Sequence, residues 1–340
     1  MNDVRHGVHL AGVHDSAIDE SVSGPVVLRF HFSGLRRVPV PPAMPPAPPD
    51  PGQTANPGRC VASLLAFLLL PVISGCASVP LQPAGSLSSY DQLVPSDGVL
   101  THARVAVSHD EVLAARTVRI LPTSYAGDTG SKLSDVQRKL LANAISRSLC
   151  IGMSDRFSIV PEGPPPDLIV HATITQVIPT DEKAAAASKV ISLGTSIATS
   201  AMNVTAPMPL SRLPIGLGGL ALEAEARDSA GRQKAAMMWA RGADILTSKP
   251  RVSTDGDAYD LSASFGEDFS KLLVTGKSPF KTTPSLPSMQ SLVSKMGGAP
   301  KEAACDAYGR TGMSDLIAGS MALPPDWTDK GAPGEAQAAN

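Results

Sequence analysis

The 340 residues leave room for one or two domains, and a formal net charge of -2 lacks the basic footprint that nucleic-acid binding demands. Aromatic residues make up only 4%, so any core rests on Leu, Ile, Val and Ala. The 31 prolines crowd the first hundred residues and the C-terminal region, which predicts one compact middle region with irregular flanks.

Residues 1–43 carry mixed charges without clear periodicity, and we read them as a doubtful N-terminal extension. The most apolar stretch, Val61–Ile73 (VASLLAFLLLPVI), is too short to span a bilayer, which needs about 20 apolar residues. It suits the hydrophobic region of a signal peptide, with Arg59 just ahead of it. The run ends in Ile73-Ser74-Gly75-Cys76, which resembles the lipobox of bacterial lipoproteins. That resemblance implies cleavage after Gly75, a diacylglycerol thioether on Cys76 and acylation of the new amine. Ala77 and Ser78 follow the cysteine in place of the Asp linked to inner-membrane retention, so the resemblance favours the outer membrane. Counted from Met1, the leader is far longer than the usual ~15–30 residues. Translation starting near Met44 resolves this, with residues 44–75 as signal peptide and 76–98 as a lipidated tether.

Cysteine usage follows from that compartment. Of the four cysteines, Cys60 leaves with the signal and Cys76 is lipidated. Cys150 and Cys305 remain, in a compartment that permits disulfides. Either they form a bridge pinning the C-terminal region to a core helix, or they are two separate buried thiols; pairing requires Cα atoms within ~7 Å.

Folded structure is expected over 99–276. Arg104–Val107 predicts a short strand, Asp110–Ala115 a helical turn, and Thr117–Leu121 a half-buried strand. A helix runs from a Ser134/Gln137 capping box to about Cys150, with Gly152 as its stop. Its predicted stripe is Val136, Leu140, Ala144 and Ser148, flanked by Leu133, Leu141, Ile145 and Leu149. Arg147 falls near an edge of that stripe, in the last turn, where a cation suits the helix dipole. Phe157–Val160 and Asp167–Ile178 read as strands, the second with Leu168, Val170, Ala172 and Ile174 on its apolar face. Lys183–Met202 has the composition of a small-residue helix, and 203–219 reads as an irregular loop. Leu220–Arg227 and Gln233–Gly242 form a β-hairpin, with Glu223, Glu225 and Arg227 expected to face solvent. Asp257–Val274 is a second amphipathic helix, ended by Gly276. This order predicts an α/β (α+β) two-layer sandwich, a mostly antiparallel sheet with two main helices on one face. Residues 277–340 read as a Pro/Gly/Ser-rich linker or surface wrap, disordered from Ala332.

The segment Ser86–Pro95 (SLSSYDQLVP), the strand Phe157-Ser158-Ile159-Val160 after the first helix, and Leu222-Glu223-Ala224-Glu225 resemble the uncharacterised proteobacterial lipoprotein family called domain of unknown function 3313. The resemblance spans about 85–276. It implies an envelope location and assigns no activity, so no functional residue is carried over.

Motifs for chemistry fail one by one. Gly194-Thr195-Ser196-Ile197-Ala198 lacks the final glycine of a nucleophile elbow and the strand that leads into one. His171 sits on a strand face beside threonines, which suits a structural hydrogen bond. His109-Asp110-Glu111 has no second ligand cluster. Asp255–Asp260 misses the calcium-loop Gly and Glu, and N-capping of the next helix accounts for its acids. Gly216-Leu217-Gly218-Gly219 precedes a strand, so it is no phosphate loop. No catalytic, metal or cofactor residue is assigned. The sequence therefore points to a non-enzymatic, lipid-anchored module on the periplasmic face of the outer membrane, binding or supporting an unidentified envelope protein. The competing readings are an envelope hydrolase with a non-standard site and a subunit of an envelope assembly or export machine.

Overall fold

The structure is a computed structural model that describes residues 78–202, 212–281, 293–294, 296–329 and 331–332, with backbone alone for 193–202. The extension 1–43, the signal 44–75, Cys76, residues 203–211 and the end of the tail lie outside the described residues.

In chain order the strands are β1 (Val94–Pro95), β2 (Thr101–Val107), β3 (Thr117–Ile120), β4 (Ser124–Tyr125), β5 (Ser158–Ile159), β6 (Leu168–Ile178), β7 (Gly219–Arg227) and β8 (Gln233–Gly242). The helices are α1 (His109–Ala114), α2 (Asp135–Met153), α3 (Glu182–Met202), α4 (Gly256–Thr275) and α5 (Met313–Ser320). The eight strands form one sheet in the order β1-β2-β8-β7-β6-β3-β5, with β4 also paired to β6. The β1–β2, β2–β8, β8–β7 and β7–β6 pairs are antiparallel; β3–β5, β3–β6 and β4–β6 are parallel. The fold is thus α/β with an open mixed sheet, and α2 and α4 pack on one of its faces.

Local chemistry explains the elements. The Ser134 hydroxyl accepts from the Gln137 N–H at 3.2 Å and the Gln137 side chain accepts from the Ser134 N–H at 2.9 Å, which starts α2 with two satisfied donors. Alternation along β6 and β7 puts Leu168, Val170, Ala172, Ile174, Leu222, Ala224 and Ala226 into the core. They meet Leu141, Ile145 and Leu149 of α2 and Phe265, Phe269, Leu272 and Leu273 of α4. Gly276 ends α4 in the left-handed conformation at φ 62°.

Three expectations need correction here. Leu140 and Ala144 of the expected α2 stripe are buried beside Tyr259, but Val136 is 59% exposed, and the flanking Leu141, Ile145 and Leu149 are the residues that face the sheet core. Gly152 does not stop α2, which runs on to Met153. A Cβ at Gly152 would lie 2.5 Å from Ser270 Oγ, and one on Gly266 would strike Ser148, so both glycines serve the close crossing of α2 and α4. Finally, residues 78–98 are no loose tether. Val79, Leu87 and Leu93 are buried on the sheet face opposite the helices, against Ala221, Ala236, Met238 and Ala240.

A titratable group sits where α4 meets the sheet. Trp239 is fully buried, stacks edge-on against Phe265 at 5.7 Å, and donates its indole N–H to Asp268 at 2.9 Å. Burial pushes the Asp268 carboxyl up to about 6; the indole bond, Lys271 and Arg241 oppose the rise and Glu267 adds to it. Folding favours the protonated form, so this group's stabilising contribution is fully present below its unfolded value, about 4, and lost as pH rises through about 6. Asp268→Asn should therefore flatten part of the decline in Tm across that window. Thermal melts of both proteins at several pH values test this, and parallel curves would count against it.

Candidate functional site

Among the described residues two built sites stand out, one on the sheet face away from the helices and one along the helices. On the face away from the helices, β7 projects Glu223 and Glu225, which are only 1% and 2% exposed. Their expected solvation is overturned, because the segment from Val79 to Leu93 covers them. Glu223 accepts from the N–H groups of Ala84 (2.9 Å) and Ser86 (3.1 Å), the Ser86 hydroxyl (2.5 Å) and the Tyr90 hydroxyl (2.7 Å). Glu225 accepts from the Ser88 N–H (2.8 Å), the Ser88 hydroxyl (3.0 Å) and the Gln233 amide (2.9 Å), and pairs with Arg227 at 3.1 Å. Burial, and then the Glu223 carboxylate, raise the Tyr90 phenol above its ordinary range. Ser86, Ser88 and Tyr90 alternate along the covering segment as the two glutamates alternate along β7. That matched spacing was the signal available in the sequence.

The second site is a groove of about 920 Å³ along α4, between α2 and the C-terminal residues. Its lining includes Ile151, Tyr259, Asp260, Lys271, Lys301 and Leu316. Residues 303–308 form a 3-10 turn, followed by α5 and a second 3-10 turn at 325–327, and this region wraps back over the helices. Cys305 and Cys150 form a disulfide, with Cα atoms 5.6 Å apart and Cys305 inside the core cluster. The Tyr308 hydroxyl donates to the Ile120 carbonyl at 2.8 Å. Arg147 pairs with Asp329 at 2.5 Å, and the Tyr259 hydroxyl donates to the same carboxylate at 2.6 Å. Arg147 is buried and fixes the tail; it does not cap the helix end, since α2 extends beyond it. Arg251 pairs with Asp315 at 3.2 Å and with Asp260 at 2.9 Å, its guanidinium 5.1 Å from the Tyr259 ring centroid. Burial pushes the Asp260 carboxyl up to about 6, with Arg251 opposing and Asp257 and Asp315 adding to the rise.

The acids around the start of α4 do not cap it. The Asp255 carboxylate takes the Ser253 hydroxyl, Asp257 pairs with Arg212 and accepts from the Gly218 N–H at 2.6 Å, and Asp260 faces Arg251. Arg212 is 2% exposed, so a buried ion pair ties the segment before β7 to the start of α4. Asp181 takes the capping role at α3 instead, accepting from Lys183 (2.9 Å) and Ala184 (3.0 Å).

The histidines do not converge on the groove. The His109 ring nitrogen lies 2.9 Å from the Gly276 carbonyl, and Glu111 pairs with Lys234 at 2.5 Å. His171 Nε2 meets the Ser124 hydroxyl at 3.1 Å, and that hydroxyl also meets Thr173 at 3.1 Å. Burial, and then Arg227, lower the His171 pKa. Ser196 lies within α3, among the residues described by backbone alone. Among the described residues no three His, Cys, Asp or Glu side chains gather as a metal site would, and no helix is long and apolar enough to cross a membrane.

Comparison with known proteins adds one decisive match. The profile of the family described as "Protein of unknown function (DUF3313)" aligns with residues 82–269, more than half of the chain. The chain belongs to this family. The DUF3313 region thus includes Ser86, Ser88 and Tyr90 together with the glutamates that receive them, and stops short of the C-terminal wrap. Among curated proteins no match is found. Two solved structures of the PelC dodecamer from Paraburkholderia phytofirmans show weak likeness. A single-substitution variant shares 9% identity at a TM-score of 0.27, covering 49% of this chain and 95% of its own. The other shares 8% at 0.30, covering 53% and 100%. At these values neither supports a statement about this chain's activity or assembly.

Proposed function

We propose that the chain is a non-enzymatic lipoprotein, anchored through Cys76 on the periplasmic face of the outer membrane, whose groove along α4 receives part of another envelope protein. The observation that carries this reading is the apolar run Val61–Ile73 leading into Ile73-Ser74-Gly75-Cys76. The groove gives the partner a place. Arg251 holds Asp260 and Asp315, and Arg147 holds Asp329, in preformed pairs, so at these charges a partner meets an ordered surface and little side-chain entropy is lost on binding. Apolar Leu316, 43% exposed beside those pairs, supplies area to bury.

The test is metabolic labelling with a clickable fatty acid, followed by membrane fractionation. The wild-type protein should carry the label and sediment with outer membranes. Cys76→Ala should lose the label and the membrane association. A wild-type protein without label, or labelled Cys76→Ala, would remove the basis of the reading. For the groove, a photo-crosslinking residue at Ser264 should yield a discrete adduct in cells, and the same residue at Ala230 in the far hairpin turn should not.

A further inference from the structure

We infer that one end of the sheet, carrying Val99, Leu100, Ile215 and Leu246, is seated on the lipid bilayer. The inference rests on the proposed lipid at Cys76 and adds an orientation that the anchor alone does not give. It follows from the path of the covering segment. Val79 packs with Ala221, Ala240 and Ile178, and a Cβ on Gly219 would strike it, so Val79 lies at the end of the sheet where β7 begins and β6 and β8 finish. The chain then advances along β7: Ala84 and Ser86 reach Glu223, and Ser88 reaches Glu225. Residues ahead of Val79 therefore leave from the Gly219 end. Cys76 is three positions upstream, and three residues extend at most ~11 Å. An acylated Cys76 inserted in a bilayer holds this end of the sheet at the membrane surface as long as the segment stays docked.

The same end exposes large apolar side chains on three separate connections. Val99 is 101% exposed and Leu100 37%, in the turn that joins β1 to β2. Leu246 is 51% exposed just after β8, in a turn whose Leu246 and Thr247 N–H groups donate to Asp244. Ile215 is 58% exposed just before β7. Exposed apolar residues scattered singly need no explanation, but several at the tip nearest a lipid attachment point do. Exposed Lys183 and Lys249 and half-buried Arg241 flank them, opposed by exposed Asp97, Asp181 and Glu182, so the tip presents apolar side chains with little net charge. Such a tip fits the interfacial layer of a bilayer, where apolar side chains enter at headgroup depth. At the opposite end, by the Asp228–Gly231 turn, Leu113 is exposed, at 39%.

The test uses the full lipidated protein, purified from membranes and reconstituted into phosphatidylethanolamine/phosphatidylglycerol vesicles. Single cysteines replace Val99, Leu246 or, as the far-end control, Ala230, and carry an environment-sensitive fluorophore. We expect the labels at 99 and 246 to shift to the blue on reconstitution and to be quenched by lipids bearing a doxyl group in the upper chain, with no change at 230. Quenching equal at all three sites, or absent at 99 and 246, overturns the orientation. A blue shift at 99 and 246 without vesicles indicates a protein occupant and also overturns it. Mass spectrometry of the N-terminal peptide separates the two levels: an acylated peptide with unquenched labels defeats the orientation alone, while an unacylated Cys76 defeats the anchor itself.

Discussion

Replacing Cys305 with serine should cost about 3–5 kcal/mol of stability and release the C-terminal wrap to proteolysis. The bridge to Cys150 joins residues 155 apart in sequence, so its loss returns a long loop's worth of conformational freedom to the unfolded chain. Both cysteines are buried, Cys150 inside α2 and Cys305 among Ala304, Tyr308 and the core residues around them. The substitution also leaves a serine hydroxyl among apolar groups, which adds to the cost. The wrap keeps other holds on the domain, namely Tyr308 on the Ile120 carbonyl, Arg147 on Asp329 and Arg251 on Asp315. Each depends on the wrap being in place, so loss of the covalent link weakens all of them together. Urea unfolding with and without a reducing agent isolates the effect. Reduced wild-type protein and Cys305→Ser should lose similar stability, and reductant should leave the variant unchanged. Equal midpoints for oxidised wild type and variant would show that the noncovalent contacts hold the wrap unaided.

The parts of this fold that were legible in the sequence are those built from neighbours in sequence. Ser134 and Gln137 announce α2 because both halves of the capping box lie within one turn. The hairpin from Leu220 to Gly242 announces itself because alternation and a turn at Asp228–Gly231 lie in one stretch. What was not legible depends on partners far away. Arg147 meets Asp329 and Arg251 meets Asp315 through pairings that no local pattern encodes. The larger failure concerns the strand face. Charged residues alternating with apolar ones normally mean solvent, since a buried carboxylate needs partners that repay its desolvation. Those partners were hidden in a segment whose prolines, Gly85 and serines carry the composition of a tether. Polar hydroxyls and free N–H groups of an extended chain are what a buried carboxylate requires, so composition and role pulled in opposite directions. The groove was illegible for a similar reason. It is formed by a Pro-rich region returning from beyond the family's common span, and only the two cysteines left over, Cys150 and Cys305, hinted at the return.

Glu223→Ala should then be the most informative single change in the domain, with an expected loss of about 3–5 kcal/mol. The carboxylate is 1% exposed and accepts four hydrogen bonds, from Ala84, from Ser86 twice and from Tyr90. Hydrogen bonds to a charged group contribute about 1.5–3 kcal/mol each when taken singly, but these four share one acceptor and one segment, so their loss is not additive. The likeness between deletion and undocking is the point of the experiment. Without the acceptor, two N–H groups and two hydroxyls must find water, and they reach it only if residues 84–90 lift from β7. Tyr90→Phe removes one donor and leaves the carboxylate with three partners, so it should cost about 1–2 kcal/mol and leave the segment docked. Hydrogen exchange at the Ala84 and Ser86 amides reads the difference directly. We expect these amides to lose protection in Glu223→Ala and to keep most of it in Tyr90→Phe, while the amides of α2 stay protected in both. Retained protection at Ala84 and Ser86 in Glu223→Ala would mean that Val79, Leu87 and Leu93 hold the segment by burial alone. If they exchange freely, the seating of the sheet end on the bilayer must go with them, because the lipid at Cys76 would then be joined to the domain by a chain of about a dozen more residues, long enough for the domain to leave the surface.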